Sequence, residues 1–376
     1  MLPNELPATR ARLEAGIAEG LHFGAQLYIS RGASQTREPE HLDLVVGERA
    51  EGQPMTVDTL NIWLSSTKPV TAVAVGLLWQ RGALDLDDPV ARHVPAFEQK
   101  GKGAITIRHL LTHTGGVRML NLGWPEASWD EILDTICSRR PEPRWPPGEK
   151  AGYHLASSWF VLGEVVARVT GRPFPAFVRD EVLEPCGMDD SWIGMPAARF
   201  EAYGDRLGRM WSTENGAKLA RRWHRAPSVI GCSPGGNGWG PIHELGRFYE
   251  MLLRRGIGPS GERLLTPQTV EAMTTPQRVG MLDQTFKQTL DWGLGFIIDS
   301  KHYGHTPITY GYGDHASRRT FGHSGFQSST GLADPVHDLV VAMVVNGNPG
   351  EAVHNLRSQA ILTAIYDDLG LAEAGP

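Results

Sequence analysis

Segments patterned like β-strands stand at both ends of this 376-residue chain, and segments with helical spacing fill the stretch between them. Gly24–Ser30 and His41–Gly47 alternate and are rich in β-formers, and Gly32 with the polar run to Glu40 supplies a hairpin-like connection. Near the other end Trp292–Ile298, Gln327–Ala333 and Leu339–Val345 have the same character, and Asp334–Asp338 turns the last two into a hairpin. The first twenty residues have amphipathic helical spacing, and a closing helix is expected over about Glu351–Leu369. In the middle, Val70–Arg81, Trp129–Arg139, Ser158–Thr170, Pro175–Leu183 and His243–Arg254 all show helical apolar periodicity. Gly82, Pro141, Gly171, Pro185 and Gly256 punctuate them. The pattern predicts an α/β fold in which one sheet is built from both chain ends. Residues 1–60 and 285–376 form the sheet unit, and a mainly helical unit, 61–284, is inserted into it. A site is expected in the cleft between the two. Tyr303–Arg319, rich in Tyr, Gly and His, is expected to be a long loop.

Composition removes several function classes. Hydrophobic residues make up 41% and charged residues 21%, as in ordinary globular proteins. The net charge is −6, and Arg139-Arg140, Arg221-Arg222 and Arg254-Arg255 lie far apart, so no basic stripe addresses nucleic acid. Cys137, Cys186 and Cys232 form no Cys-x-x-Cys pair, which argues against a disulfide framework or zinc ribbon and suits a reducing compartment. The longest apolar run, Val70–Trp79, is far short of the ~20 residues a membrane span needs. The N-terminal segment has no apolar signal core, and a cytoplasmic location is expected.

The chemistry centres on Ser65-Ser66-Thr67-Lys68-Pro69, where a helix begins. Ser65 and Lys68 are three residues apart and share a helix face. A serine at a helix N-terminus sits among free N–H groups, and a buried lysine one turn on can lose its charge and accept a proton. This is an activated nucleophile without histidine. On spacing alone, Ser65 is equally a helix N-cap.

The surroundings narrow the choice. Leu84–Pro89, Ile105–Gly116, Pro147-Gly148, Tyr153, Leu162-Gly163 leading to Thr170-Gly171, and Phe321–Phe326 follow in order. From about Leu60 to Asn346 this set resembles the serine β-lactamase and penicillin-binding-protein superfamily, most of all its class C-like branch of β-lactamase-related esterases and peptidases. The resemblance implies a β-lactamase/transpeptidase-like fold with an antiparallel sheet. It implies Ser65 as nucleophile, Lys68 as its partner and Tyr153 as the tyrosine that relays the proton, needing Lys68 as a nearby cation to act as a base. His323-Ser324-Gly325 corresponds to the Lys-Thr-Gly motif of the strand lining the site, with Gly325 letting the substrate approach. The backbone N–H groups of Ser65 and Phe326 are the implied oxyanion hole. One position departs from the pattern: Leu155 stands where the third residue of the tyrosine motif is usually Asn. Leucine offers no amide to a substrate, which favours an apolar acyl group or simple ester over β-lactams or wall peptides.

Other motifs are weaker. Gly231–Gly235 has a Gly-x-Ser-x-Gly pattern around Ser233, but Pro234 cannot donate the N–H such a nucleophile needs; a Gly-rich loop near the site is expected. His109 and His113 have zinc-compatible spacing on a predicted helix, but Leu110 replaces the glutamate of the zinc motif. His302, His305 and His315 lie in a loop without a carboxylate pattern. Trp124, Trp239 and Trp292 are possible walls of an acyl pocket, and Tyr310 or Tyr312 possible pocket residues. The expected protein is a serine hydrolase acting on a small-molecule ester or activated amide, with no metal or organic cofactor. An acyltransferase on the same residues, a β-lactamase or D-amino-peptidase, and a catalytically weak binding or sensor protein are the alternatives. The sequence leaves the oligomeric state open.

Overall fold

The structure is a computed structural model that describes residues 2–372. Seven strands form the main sheet: Gly24–Arg31 (β1), Glu40–Ala50 (β2), Gln53–Pro54 (β3), Ile297–Ile298 (β4), Phe321–Ser324 (β5), Ser329–Asp334 (β6) and Leu339–Val345 (β7). Their order is β4-β5-β6-β7-β1-β2-β3, with every neighbouring pair antiparallel. The two chain ends meet at its centre, where Leu27 pairs with Met343 and Ile29 with Val341. The longer helices are Pro7–Ala18 (α1), Lys68–Gln80 (α2), Trp129–Ser138 (α3), Ser157–Thr170 (α4), Ile242–Leu253 (α5) and Glu351–Asp368 (α6).

Both faces of the sheet are covered, which is why Leu339–Val345 is an unbroken apolar run. Leu339, Val341, Met343 and Val345 share one core with Leu13 of α1 and with Ile361 and Ile365 of α6. Val340, Ala342 and Val344 share a second core with Leu245 and Phe248 of α5, and this core continues into α2 and α4. Thr9 ties the outer layer together: its N–H and hydroxyl donate to Asp368 at 2.8 and 2.7 Å. No described helix is long and apolar enough to cross a membrane.

Several expected elements differ in extent. Of Trp292–Ile298 only the last two residues are strand. Gly293 donates to Phe296 O in a turn, Gly295 has φ +85°, and a Cβ there would lie 2.4 Å from Ala72 of α2, so backbone packing against that helix breaks the strand. The expected helix Pro175–Leu183 is α-helical only over Phe174–Val178 and continues as a wider π turn over Arg179–Leu183. Gln327, with φ +47°, belongs to a turn rather than a strand. Phe321–Ser324, which carries His323 and Ser324 of the motif, forms β5. A small second sheet, Asn61–Leu64 beside Gly238–Gly240 beside Trp192–Ile193, delivers the chain to Ser65.

Candidate active site

The strand Asn61–Leu64 ends in a strained residue. Leu64 has φ +50° and ψ −130°, a conformation normally left to glycine that costs of the order of 1–3 kcal/mol. The kink lifts Ser65 out of the strand and into a 3₁₀ turn, Ser65–Thr67, that runs on into α2. The N–H of Ser65 therefore starts a helical segment and is used by no helical bond.

Lys68 reaches back one turn. Its Nζ is 2.9 Å from Ser65 Oγ and donates to Gly235 O at 2.6 Å. Gly235 must be glycine, because a Cβ would lie 2.6 Å from the indole of Trp159. Lys68 is fully buried, no described carboxylate pairs with it, and burial alone pushes its amine well below the ordinary lysine value. A neutral amine beside a hydroxyl is a proton acceptor.

Tyr153 approaches from the other side, its hydroxyl donating to Ser65 Oγ at 2.7 Å. The loop that carries it is anchored on Asp283, whose Oδ1 accepts the N–H groups of Tyr153, Thr285 and Phe286 at 3.1, 2.9 and 3.1 Å. Arg278 neutralises Asp283 through a fully buried ion pair of 3.1 Å. Burial lifts the Tyr153 phenol above its ordinary value, and its hydrogen bond with Ser65 only partly opposes this. The resemblance implies a charged Lys68 that makes Tyr153 a base; burial works against both ionised forms.

The end of β5 closes the site. Ser66 Oγ donates to His323 O at 3.0 Å and meets Ser329 Oγ at 3.0 Å, locking the Ser65 turn to the sheet. Ser324 Oγ meets Thr330 Oγ1 at 3.0 Å. Gly325 packs closely within the chain: a Cβ there would lie 2.2 Å from Trp63 O and 2.3 Å from Ser329 Oγ. Gly325 N bonds Ser329 O and Ser328 N bonds Gly325 O, and the N–H of Phe326 enters neither bond of this turn. His323 is buried, and desolvation pushes its imidazole down to about 3, which leaves it neutral. Its Nδ1 lies 2.9 Å from Ser324 O, a carbonyl, so Nδ1 carries the proton and the buried Nε2 is a bare, unpartnered acceptor.

Ser65, Tyr153, Leu155, His323, Ser324 and Phe326 line one cavity of about 330 Å³, with Lys68 beneath Ser65. Leu155 and Phe326 stand at its mouth, 52% and 41% exposed. A roomier cavity of about 540 Å³, on the side of Ile298 and Phe321, has neither lysine nor histidine in its wall to activate a hydroxyl.

The Beta-lactamase family model matches residues 13–365. The chain belongs to that family. It is 25% identical over 329 residues to the Esterase/beta-lactamase LipL of Mycobacterium tuberculosis, an alignment covering 80% of this chain and 72% of that one. A penicillin-binding protein homologue from Caulobacter crescentus superposes with a TM-score of 0.78 at 26% identity, covering 98% and 99% of the two chains. A family VIII carboxylesterase, 24% identical, has the same fold with a TM-score of 0.78 over 98% and 99%.

In this Beta-lactamase family member the cavity wall is not built from the tryptophans the sequence offered. Trp239 and Trp292 are fully buried in the core and Trp124 packs against it; Met119, Phe286 and Tyr310 line the cavity instead. Tyr310 is the pocket tyrosine, whereas Tyr312 is buried with its hydroxyl on Ile297 O at 3.0 Å. His109 and His113 do not share a helix: Ile107–Leu111 ends before His113, which has φ +56° and accepts the His154 N–H at 3.2 Å. The Gly231–Gly235 loop adjoins the site through Gly235 O, while Ser233 lies outside the cavity wall. Sequence reasoning missed Asp283 and Arg278, a pair five residues apart that no motif marks, and Glu351, which lines the cavity but reads in sequence only as the start of a helix.

Proposed function

We propose that this protein is a serine hydrolase that cleaves small carboxylic esters, or activated amides, through an acyl-enzyme on Ser65. The observation that carries the reading is the convergence of Lys68 Nζ, at 2.9 Å, and Tyr153 Oη, at 2.7 Å, on the Ser65 oxygen at an open cavity. Lys68, neutral through burial, takes the Ser65 proton as Oγ attacks the carbonyl carbon. The N–H groups of Ser65 and Phe326 hold the oxyanion of the tetrahedral intermediate. Its collapse breaks the bond to the leaving oxygen, which takes a proton from Tyr153, and Tyr153 recovers one from the Lys68 ammonium. Water then repeats the sequence on the acyl-enzyme.

Lys68 and Tyr153 belong to the helical unit 61–284, and His323 and Phe326 to the sheet unit 1–60 and 285–376, so on this reading the cleft between the units is the active site. The esterase name of the LipL relative supports the same chemistry. Esters are favoured over β-lactams because Leu155 offers no amide and the neutral His323 gives no cation to a penicillin carboxylate. A cytoplasmic site of action belongs to the same proposal and draws on three free thiols, Cys137, Cys186 and Cys232. The test is labelling by an alkyl fluorophosphonate with peptide mapping, alongside hydrolysis of p-nitrophenyl butyrate. The native protein is expected to be labelled on Ser65 and active, and Ser65→Ala to be neither; a native protein that is not labelled overturns the reading.

A further inference from the structure

The wall of the Ser65 cavity carries one carboxylate and no lysine or arginine. The carboxylate is Glu351, the first residue of α6. Gly350, just before it, donates its N–H to Gln327 Oε1 at 2.8 Å, so the turn after β5 fixes where α6 begins. Tyr310 stands with Glu351 in the same wall, and the negative charge of Glu351 is felt by the Tyr310 and Tyr153 phenols. No described cation forms an ion pair with Glu351. Glu351 lines the cavity while staying exposed, and as a first-turn glutamate it also favours its helix through the dipole.

Around this charge the wall is aromatic. Phe286 stacks on Tyr153 with centroids 4.9 Å apart and meets Tyr310 edge-on at 5.8 Å, and Phe326 is exposed across the mouth. The remaining ionisable ring, His323, is neutral. A lone carboxylate beside aromatic faces, in a cavity without basic side chains, is the chemistry that recognises an ammonium group and repels an anion.

We propose that Glu351, with Phe286 and Tyr310, forms a subsite for an ammonium or quaternary ammonium group, so that the substrates of Ser65 are esters carrying a positive charge. The proposal rests on the serine hydrolase reading and specifies its substrate class. The cation enters on the alcohol or on the acyl side of the ester, and two pairs of isosteric substrates separate these. Acetylcholine is compared with 3,3-dimethylbutyl acetate, and the p-nitrophenyl ester of 4-trimethylammoniobutyrate with that of 5,5-dimethylhexanoate; within each pair only nitrogen and carbon are exchanged.

In at least one pair the cationic ester is expected to have a kcat/KM about tenfold higher or more, carried mainly by KM. The ratio of cationic to neutral kcat/KM is expected to fall towards one in Glu351→Gln and to shrink as salt is raised. Tetramethylammonium chloride is expected to compete with p-nitrophenyl acetate in the native enzyme, a measurement that does not depend on how the variant folds. Hydrolysis of the neutral esters at Ser65 with no cationic preference in either pair, or no competition by tetramethylammonium, overturns the subsite and leaves the hydrolase standing. Inactivity towards all four esters together with no fluorophosphonate labelling overturns both.

Discussion

The Nζ of Lys68 lies 2.9 Å from the Oγ of Ser65, and both side chains leave the same turn at the start of α2. That contact holds the amine in a place closed to solvent, with Gly235 O as its other hydrogen-bond partner and no carboxylate among the described residues paired with it. The penalty of burying the charge falls on the folded protein, and its counterpart in the proposed mechanism is a base next to the hydroxyl it would deprotonate.

The lysine should therefore be visible in stability as well as rate. Its folded-state value lies well below 10.5, so between the two values the unfolded chain binds a proton that the native protein does not. Stability from this group rises with pH and is fully regained above the unfolded lysine value, ~10.4. Lys68→Met removes the dependence. Its melting temperature relative to the native protein is expected to be highest near neutral pH and to decline towards pH 10, with activity lost throughout. A melting-temperature difference that stays flat with pH means that Lys68 is charged in the fold. The native rate should rise with pH through one apparent value of the Ser65–Lys68–Tyr153 network, not assignable to one residue.

Adjacent serines are expected to part company. Ser65→Ala should lower turnover by a factor on the order of a thousand or more, because the covalent path is gone. Ser66→Ala should keep the nucleophile but lose the bonds to His323 O and Ser329 Oγ, costing about 1 kcal/mol of stability. Mass spectrometry of the acyl adduct beside thermal melts checks both. An adduct on the Ser65→Ala protein contradicts the assignment.

Tyr153 and Asp283 separate chemistry from scaffolding. Tyr153→Phe keeps the ring against Phe286 and is expected to lower turnover by roughly a hundredfold or more, with little change in melting temperature. Asp283→Ala leaves the buried Arg278 charge unpaired and frees three backbone N–H groups, and is expected to cost about 3–5 kcal/mol. Near-native turnover of a folded Tyr153→Phe protein would move the proton relay elsewhere.

Substrate choice follows from Leu155 and His323. Short and medium acyl esters are expected to be cleaved much faster than penicillins, which can still acylate Ser65 slowly and inhibit. Steady-state kinetics on p-nitrophenyl butyrate and benzylpenicillin decide this; comparable kcat/KM values would refute it. Replacing Leu155 by Asn should narrow the gap, since it restores an amide at the cavity mouth.

The proposed site residues Ser65, Lys68 and Tyr153 and the His323–Phe326 segment were read from the sequence through local spacing and an ordered set of short motifs. The layout of the sheet was legible too, since period-two alternation at both chain ends has few ways to bury itself. What the sequence could not supply were relationships between distant segments: Gly235 O on Lys68, Asp283 beneath Tyr153, Glu351 in the cavity wall, and the aromatic side chains that line it. The tryptophans were misjudged because apolar character is the same for a core and for a pocket. Sequence determined which groups can do chemistry, because reactivity and periodicity are local properties. Tertiary structure decided which groups meet, how the strained Leu64 presents Ser65, and that burial lowers the Lys68 amine and raises the Tyr153 phenol. These are matters of distance and desolvation, and both exist only once the chain has packed.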